Sequence, residues 1–166
     1  LAHYEGEDKI VSSHELAALV KKDPLRFFKS GIPSMDRILS DIEPGELIIV
    51  TGPTGHGKTT LLMSITQNMA NNGINSVWFT LEVTPRQFLH KIEYQGKMPL
   101  FYLPSKNTEN NIQWLLERII EAKMKYNTDV VFIDHLHQIF AIEKIKNNLS
   151  LEIGDVVAQI KKQAVD

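Results

Sequence analysis

Four short apolar runs mark the chain: Leu47-Ile48-Ile49-Val50, Val77-Trp78-Phe79, Leu100-Phe101-Tyr102-Leu103 and Val130-Val131-Phe132-Ile133. None alternates apolar with polar residues, so each reads as a strand buried on both faces. They predict strands at 46–51, 75–81, 99–103 and 130–134. Between them, apolar residues recur at three- and four-residue spacing, the period of a helix with one buried side. That spacing predicts helices over 13–22 (Leu16, Leu19, Val20), 58–71, 110–126 (Ile112, Leu115, Leu116, Ile119, Ile120) and 150–164. Local signals set the ends. Ser13 can cap the first helix and Pro24 stops it; Pro24 to Gly31 is a connector, with a short helix following at 34–39. Asn71-Asn72-Gly73 ends helix 58–71. Thr84-Pro85-Arg86-Gln87 opens another helix, with Thr84 as N-cap, Pro85 first and Gln87 closing a capping box. Doubly buried strands alternating with helices predict an α/β fold: a mainly parallel sheet with helices on both faces.

The chain has 166 residues, 43% hydrophobic and 23% charged, within the range of one globular domain. With no cysteine there are no disulfides and no thiolate zinc site. That fits a reducing compartment, whether cytoplasm, organelle matrix or phage-infected cell. No apolar run approaches a membrane span, and residues 1–8 lack the features of a signal peptide. Formal net charge is −2, so any contact with nucleic acid must come from a local basic cluster.

The chemistry concentrates after the first apolar run. Gly52-Pro53-Thr54-Gly55-His56-Gly57-Lys58-Thr59 fits G-x-x-x-x-G-K-[ST], the Walker A phosphate loop, between a predicted strand and a predicted helix. Glycines let the backbone approach an anion, its N–H groups point inward, and the helix N-terminus adds positive dipole. Residues Gly52 through Thr60 are therefore the candidate nucleotide cradle, with Lys58 reaching the β- and γ-phosphates and Thr59 holding Mg²⁺. His56 occupies a variable position and reads as solvent-facing. Val130 to Ile133 followed by Asp134 has the form of a Walker B strand. Asp134 either orients Mg²⁺ or caps the following turn; beside a Walker A loop the metal role is favoured. Glu82 ends the strand at 75–81 in the same way. From the pattern alone it is equally a base for in-line attack by water or an acid leading into the next helix.

Taken together these segments resemble one family. Ser30-Gly31-Ile32-Pro33-Ser34-Met35-Asp36-Arg37-Ile38-Leu39, Pro44-Gly45-Glu46-Leu47-Ile48-Ile49-Val50 and the phosphate loop resemble the opening of a RecA-type ATPase core. Trp78-Phe79-Thr80-Leu81-Glu82-Val83-Thr84 is similar to the "SLEMS" segment of DnaB-type replicative helicases, and Phe132-Ile133-Asp134-His135-Leu136-His137 to their "IDYLQ" or "LDHLS" segment. The Asp134-His135 pairing resembles the Twinkle-like and phage primase-helicase branch more than bacterial DnaB. By that resemblance the fold is a RecA-like P-loop NTPase core from residue 30 to 166, preceded by an arm and linker helix over 1–29. Glu82 is the catalytic base assisted by Lys58, ATP and Mg²⁺ are bound, and hydrolysis drives movement on single-stranded DNA during replication.

The resemblance also implies a ring, expected to be a hexamer, and possible pairing with a primase. Residues 142–149 fall where RecA-type proteins carry a channel loop, making Lys144 and Lys146 candidates for DNA phosphates; the alternative is a solvated loop. His135 and His137 lack a third ligand for zinc and read as polar strand-end residues. Helix 13–22 suits docking on a neighbouring subunit or packing on its own core. The γ-phosphate sensor, second DNA loop and arginine finger cannot be placed; Arg26, Arg37, Arg86 and Arg118 all lie in or before helices. The C-terminal part of the core is thus expected to be missing and turnover by the fragment weak. Two alternatives share these motifs: a RecA- or KaiC-like ATPase of recombination or signalling, and a nucleotide-binding scaffold without turnover.

Overall fold

The structure is a computed structural model that describes residues 10–22, 26–93, 98–109, 111–136 and 149–165. Its elements are α1 (Ser13–Lys22), α2 (Pro33–Leu39), α3 (Lys58–Asn71), β1 (Ser76–Thr80), α4 (Pro85–Glu93), α5 (Ile112–Tyr126), β2 (Val130–Asp134) and α6 (Leu149–Val165). Strands β1 and β2 pair in parallel, Ser76 opposite Val130 through Thr80 opposite Asp134. The parallel direction follows from the crossover through α4 and α5, too long for a hairpin.

Every residue of β1 is buried, as its unbroken apolar run requires. Its two faces meet different helices. On one side Trp78 packs with Met63, Ile65 and Met69 of α3, Phe88 and Ile92 of α4, and with Phe101 and Phe132. On the other, Val77 and Phe79 meet Trp114, Leu115 and Ala122 of α5 and Val156 and Ile160 of α6. Helices therefore cover both faces of the sheet. Rings stack around Trp78, with centroids 4.9 Å from both Phe88 and Phe132. Burying each of these aromatics contributes about 1.5–3 kcal/mol. The Trp78 indole N–H finds Thr66 Oγ1 at 3.0 Å, so the largest core side chain leaves no orphaned donor and ties α3 to β1.

The Ser-Gly segment before α2 is a latch. Asp36 accepts from Ser30 N at 2.8 Å and Ser30 Oγ at 2.6 Å, while Asn68 Nδ2 of α3 donates to Ser30 O at 3.1 Å. Gly31 sits at φ +71° against Asn68, where a Cβ would lie 2.5 Å from the Asn68 Cβ. The hydrogen bond from Ser30 Oγ holds the Asp36 carboxyl below the usual aspartate range.

Three expectations change. Residues 46–50 form no strand, and Leu47, Ile48 and Ile49 are 37, 44 and 69% exposed. An apolar run specifies burial, but a strand also needs a ladder partner, and among the described residues this segment has none. The run at 99–103 contributes only a parallel bridge, Val77 with Tyr102, with Trp78 N donating to Tyr102 O at 2.8 Å. The cap of α1 is Ser12 in place of Ser13: Ser12 Oγ accepts from Glu15 N at 3.2 Å, and Glu15 Oε2 returns to Ser12 N at 2.8 Å. The reciprocal box needs an acid three residues on, which Ser12 has in Glu15 and Ser13 lacks. The α1 stripe of Leu16, Leu19 and Val20 is exposed, so it does not pack on the core. Among the described residues no helix is long and apolar enough to cross a membrane.

Candidate functional site

Thr59, Glu82, Asp134 and His135, singled out in the sequence, meet at one end of the sheet. Gly57, at φ 82° and ψ 16°, turns the chain into α3 through a left-handed conformation that side-chain-bearing residues adopt at a cost. It offers no side-chain cap, so the N–H groups of the first turn of α3 stay open to an external acceptor. Residues 52–56 before it are exposed, with His56 N bonded to Pro53 O at 3.4 Å and the His56 ring near Thr54 O at 3.1 Å. Lys58 folds back over the loop, its Nζ donating to Gly52 O at 2.8 Å and Pro53 O at 2.9 Å. An ammonium held by two exposed carbonyls is charge-assisted yet readily exchanged for a phosphate, a stronger acceptor.

Thr59 closes the distance to the sheet. Its Oγ1 donates to Asp134 Oδ2 at 2.6 Å, a contact between residues 75 positions apart. Asp134 ends β2 and its side chain is only 15% exposed. Because Thr80 stands opposite Asp134 in the ladder, the turn after β1 emerges beside it. Leu81 N donates to Asp134 O at 2.8 Å, and Thr80 Oγ1 to Val83 O at 3.1 Å, fixing the backbone on both sides of Glu82. The Glu82 carboxylate lies 3.2 Å from His135 Nδ1, which is 3.6 Å from Asp134 Oδ1. Thr59, Asp134, His135 and Glu82 thus form a continuous polar chain from the loop to both strand tips.

The donor set of Thr59 and Asp134, a hydroxyl beside a carboxylate, suits a hard divalent cation such as Mg²⁺. Among the described residues no three His, Cys, Asp or Glu side chains cluster around a metal position. A cation here would draw its other ligands from phosphate and water, as Mg²⁺ commonly does. Gly52, Pro53, Thr54, Gly55, His56, Gly57, Lys58, Thr59 and Thr60 lie together at the start of α3. Lys144, Lys146 and His137 lie outside the described residues. One participant carries no motif. Asn107, in the loop after the Tyr102 bridge, donates from Nδ2 to Thr80 O at 2.7 Å and pins the turn that bears Glu82. Nothing in its sequence neighbourhood announces this role.

With an α/β fold and a phosphate-type loop meeting two strand-tip acids, the comparisons narrow the class. Residues 28–99 match the family model described as the DnaB-like helicase C-terminal domain. Over 153 residues the chain is 24% identical to the replicative DNA helicase DnaB of Mycoplasma genitalium (strain ATCC 33530 / DSM 19775 / NCTC 10195 / G37), covering 86% of this chain and 31% of that protein. Over 120 residues it is 30% identical to the zinc import ATP-binding protein ZnuC of Wolbachia sp. subsp. Brugia malayi (strain TRS), covering 72% of this chain and 44% of that protein. The chain spans less than half the length of either relative. The family match and the DnaB relative support a DnaB-type helicase relationship at family level, and the ZnuC relative a nucleotide-binding one. They do not support the Twinkle-like and phage branch suggested by Asp134-His135.

Proposed function

We propose that this chain is the ATP-hydrolysing part of a DnaB-type replicative helicase, built on a RecA-like core that drives translocation on single-stranded DNA. The observation that carries the reading is the 2.6 Å bond from Thr59 to Asp134, which ties the phosphate loop to the tip of β2 with Glu82 alongside. In this reading the open amides of Gly55 to Thr60 receive the phosphates and Lys58 leaves its loop carbonyls for the β- and γ-oxygens. Thr59 and Asp134 hold Mg²⁺, which when bound neutralises charge developing on the transferred phosphoryl group. Glu82 accepts a proton from water aligned with the γ-phosphate. Lys144 and Lys146 contact DNA phosphates. The exposed stripe of Leu16, Leu19 and Val20 offers an apolar face to a neighbouring copy in a ring, with six copies the favoured number and a primase a possible associate.

The test is hydrolysis of Mg·ATP by this chain with and without single-stranded DNA. Slow turnover is expected, stimulated by DNA and abolished by Glu82→Gln while nucleotide binding survives; Lys58→Ala should weaken binding itself. Lys144→Ala with Lys146→Ala should reduce the salt dependence of single-stranded DNA binding by a slope of roughly 1.4, about 0.7 per phosphate contact. Tight ATP binding without Glu82-dependent turnover would favour the scaffold. Turnover indifferent to DNA would favour a signalling ATPase.

A further inference from the structure

The Glu82 carboxylate is 54% exposed, and an exposed carboxylate on a flexible stem does not hold one rotamer unaided. Its backbone is fixed by the bonds at Thr80, Leu81 and Val83, but these leave the side chain free to turn. Among the described residues, the polar group facing the carboxylate is His135 Nδ1, at 3.2 Å from Oε2. The same nitrogen lies 3.6 Å from Asp134 Oδ1, so the ring stands between the two acids. His135 follows Asp134 directly at the end of β2, and its ring, 31% exposed, is less open to solvent than the carboxylate it faces.

We propose that His135 is a positioning residue for Glu82, its Nδ1–H holding the carboxylate at the strand tips where water would be activated. This rests on the reading of Glu82 as the base. The ring is not one of the proposed ligands of the cation; it removes rotational freedom from the group that accepts the proton. A positioned base differs from a wandering one in turnover and not in substrate affinity.

The experiment compares steady-state ATP hydrolysis by the unsubstituted chain, His135→Ala, His135→Asn and Glu82→Gln. His135→Ala is expected to lower kcat about 10-fold to 100-fold with KM little changed, since misplacing a reacting group costs rate on that scale. His135→Asn should recover most of the loss, because its side-chain nitrogen is bonded to Cγ as Nδ1 is. Ring ¹⁵N NMR reads the contact without turnover: the proton should reside on Nδ1, with a resonance that moves in Glu82→Ala. A rise in KM at constant kcat, or a ring resonance indifferent to Glu82→Ala, would each overturn the proposal. If Glu82→Gln abolishes turnover while His135→Ala is unaffected, the positioning role alone fails. Turnover surviving Glu82→Gln, or absent from the unsubstituted chain, sinks the reading of Glu82 and the proposal with it.

Discussion

Replacing Thr66 by valine isolates the strut between the phosphate-loop helix and the strand leading to Glu82. Thr66 and Trp78 are both fully buried; Thr66 Oγ1 accepts from the indole nitrogen at 3.0 Å and donates to Leu62 O at 2.9 Å. Valine matches threonine in shape, so no cavity opens and the change is almost purely one of hydrogen bonding. The Leu62 carbonyl keeps its place in the helical ladder, but the indole N–H has no water to turn to. Orphaning a buried donor costs about 1–3 kcal/mol. Relief from burying the hydroxyl offsets part of this, leaving a net loss of about 1–2 kcal/mol. At 166 residues that corresponds to a fall in Tm of roughly 2–8 °C. Urea denaturation followed by far-UV circular dichroism gives the free energy directly, with an unchanged m-value showing that the unfolded state is unaffected. Trp78→Phe completes a double-mutant cycle, for which a coupling of about 1 kcal/mol is expected. A Thr66→Val protein within about 0.3 kcal/mol of the original, or a cycle that is additive, would refute the strut.

Two further changes probe the latch before α2. Gly31→Ala must adopt φ near +71° and displace Asn68, so it should destabilise by about 2–4 kcal/mol, read as a lower urea midpoint; a neutral result would mean that the close approach is not there. Asp36 has a carboxyl pKa depressed by Ser30, so its contribution is present above the unfolded value of about 3.9 and is lost as pH falls through the lower folded value. Asp36→Asn should therefore lower the urea midpoint at pH 7 and bring the two proteins closer together at pH 2–3, whereas a gap independent of pH would contradict the assignment.

How far the sequence could be read depends on what each residue encodes. Elements whose signals are local appear with little change: Thr84 and Gln87 make the reciprocal cap, with Gln87 N to Thr84 Oγ1 at 3.3 Å and Thr84 N to Gln87 Oε1 at 3.0 Å. Helix α3 runs over 58–71 as its spacing requires. The meeting of Thr59 and Asp134 was legible because two motifs with defined places on strand and helix share one sheet end. Residues 47–50 misled because hydrophobicity reports a preference for burial and carries no information about which strand lies alongside. In α5 the stripe was displaced: Trp114 and Ala122 are buried while Ile120 is 43% exposed, since the helix faces Phe79 and α6 at an angle that periodicity alone does not fix. Asn107 was invisible for another reason. A single amide reaching the Thr80 carbonyl depends on the path of a loop, which leaves no pattern behind.

The central claim is that loop and strand tips form a single site for a nucleoside triphosphate. Titrating ¹⁵N-labelled protein with Mg·ATP and following each backbone amide tests it most directly. Residues 55–60, 81–83 and 134–135 should shift together with a common midpoint. Shifts confined to 55–60, with both strand tips unmoved at saturation, would contradict the account.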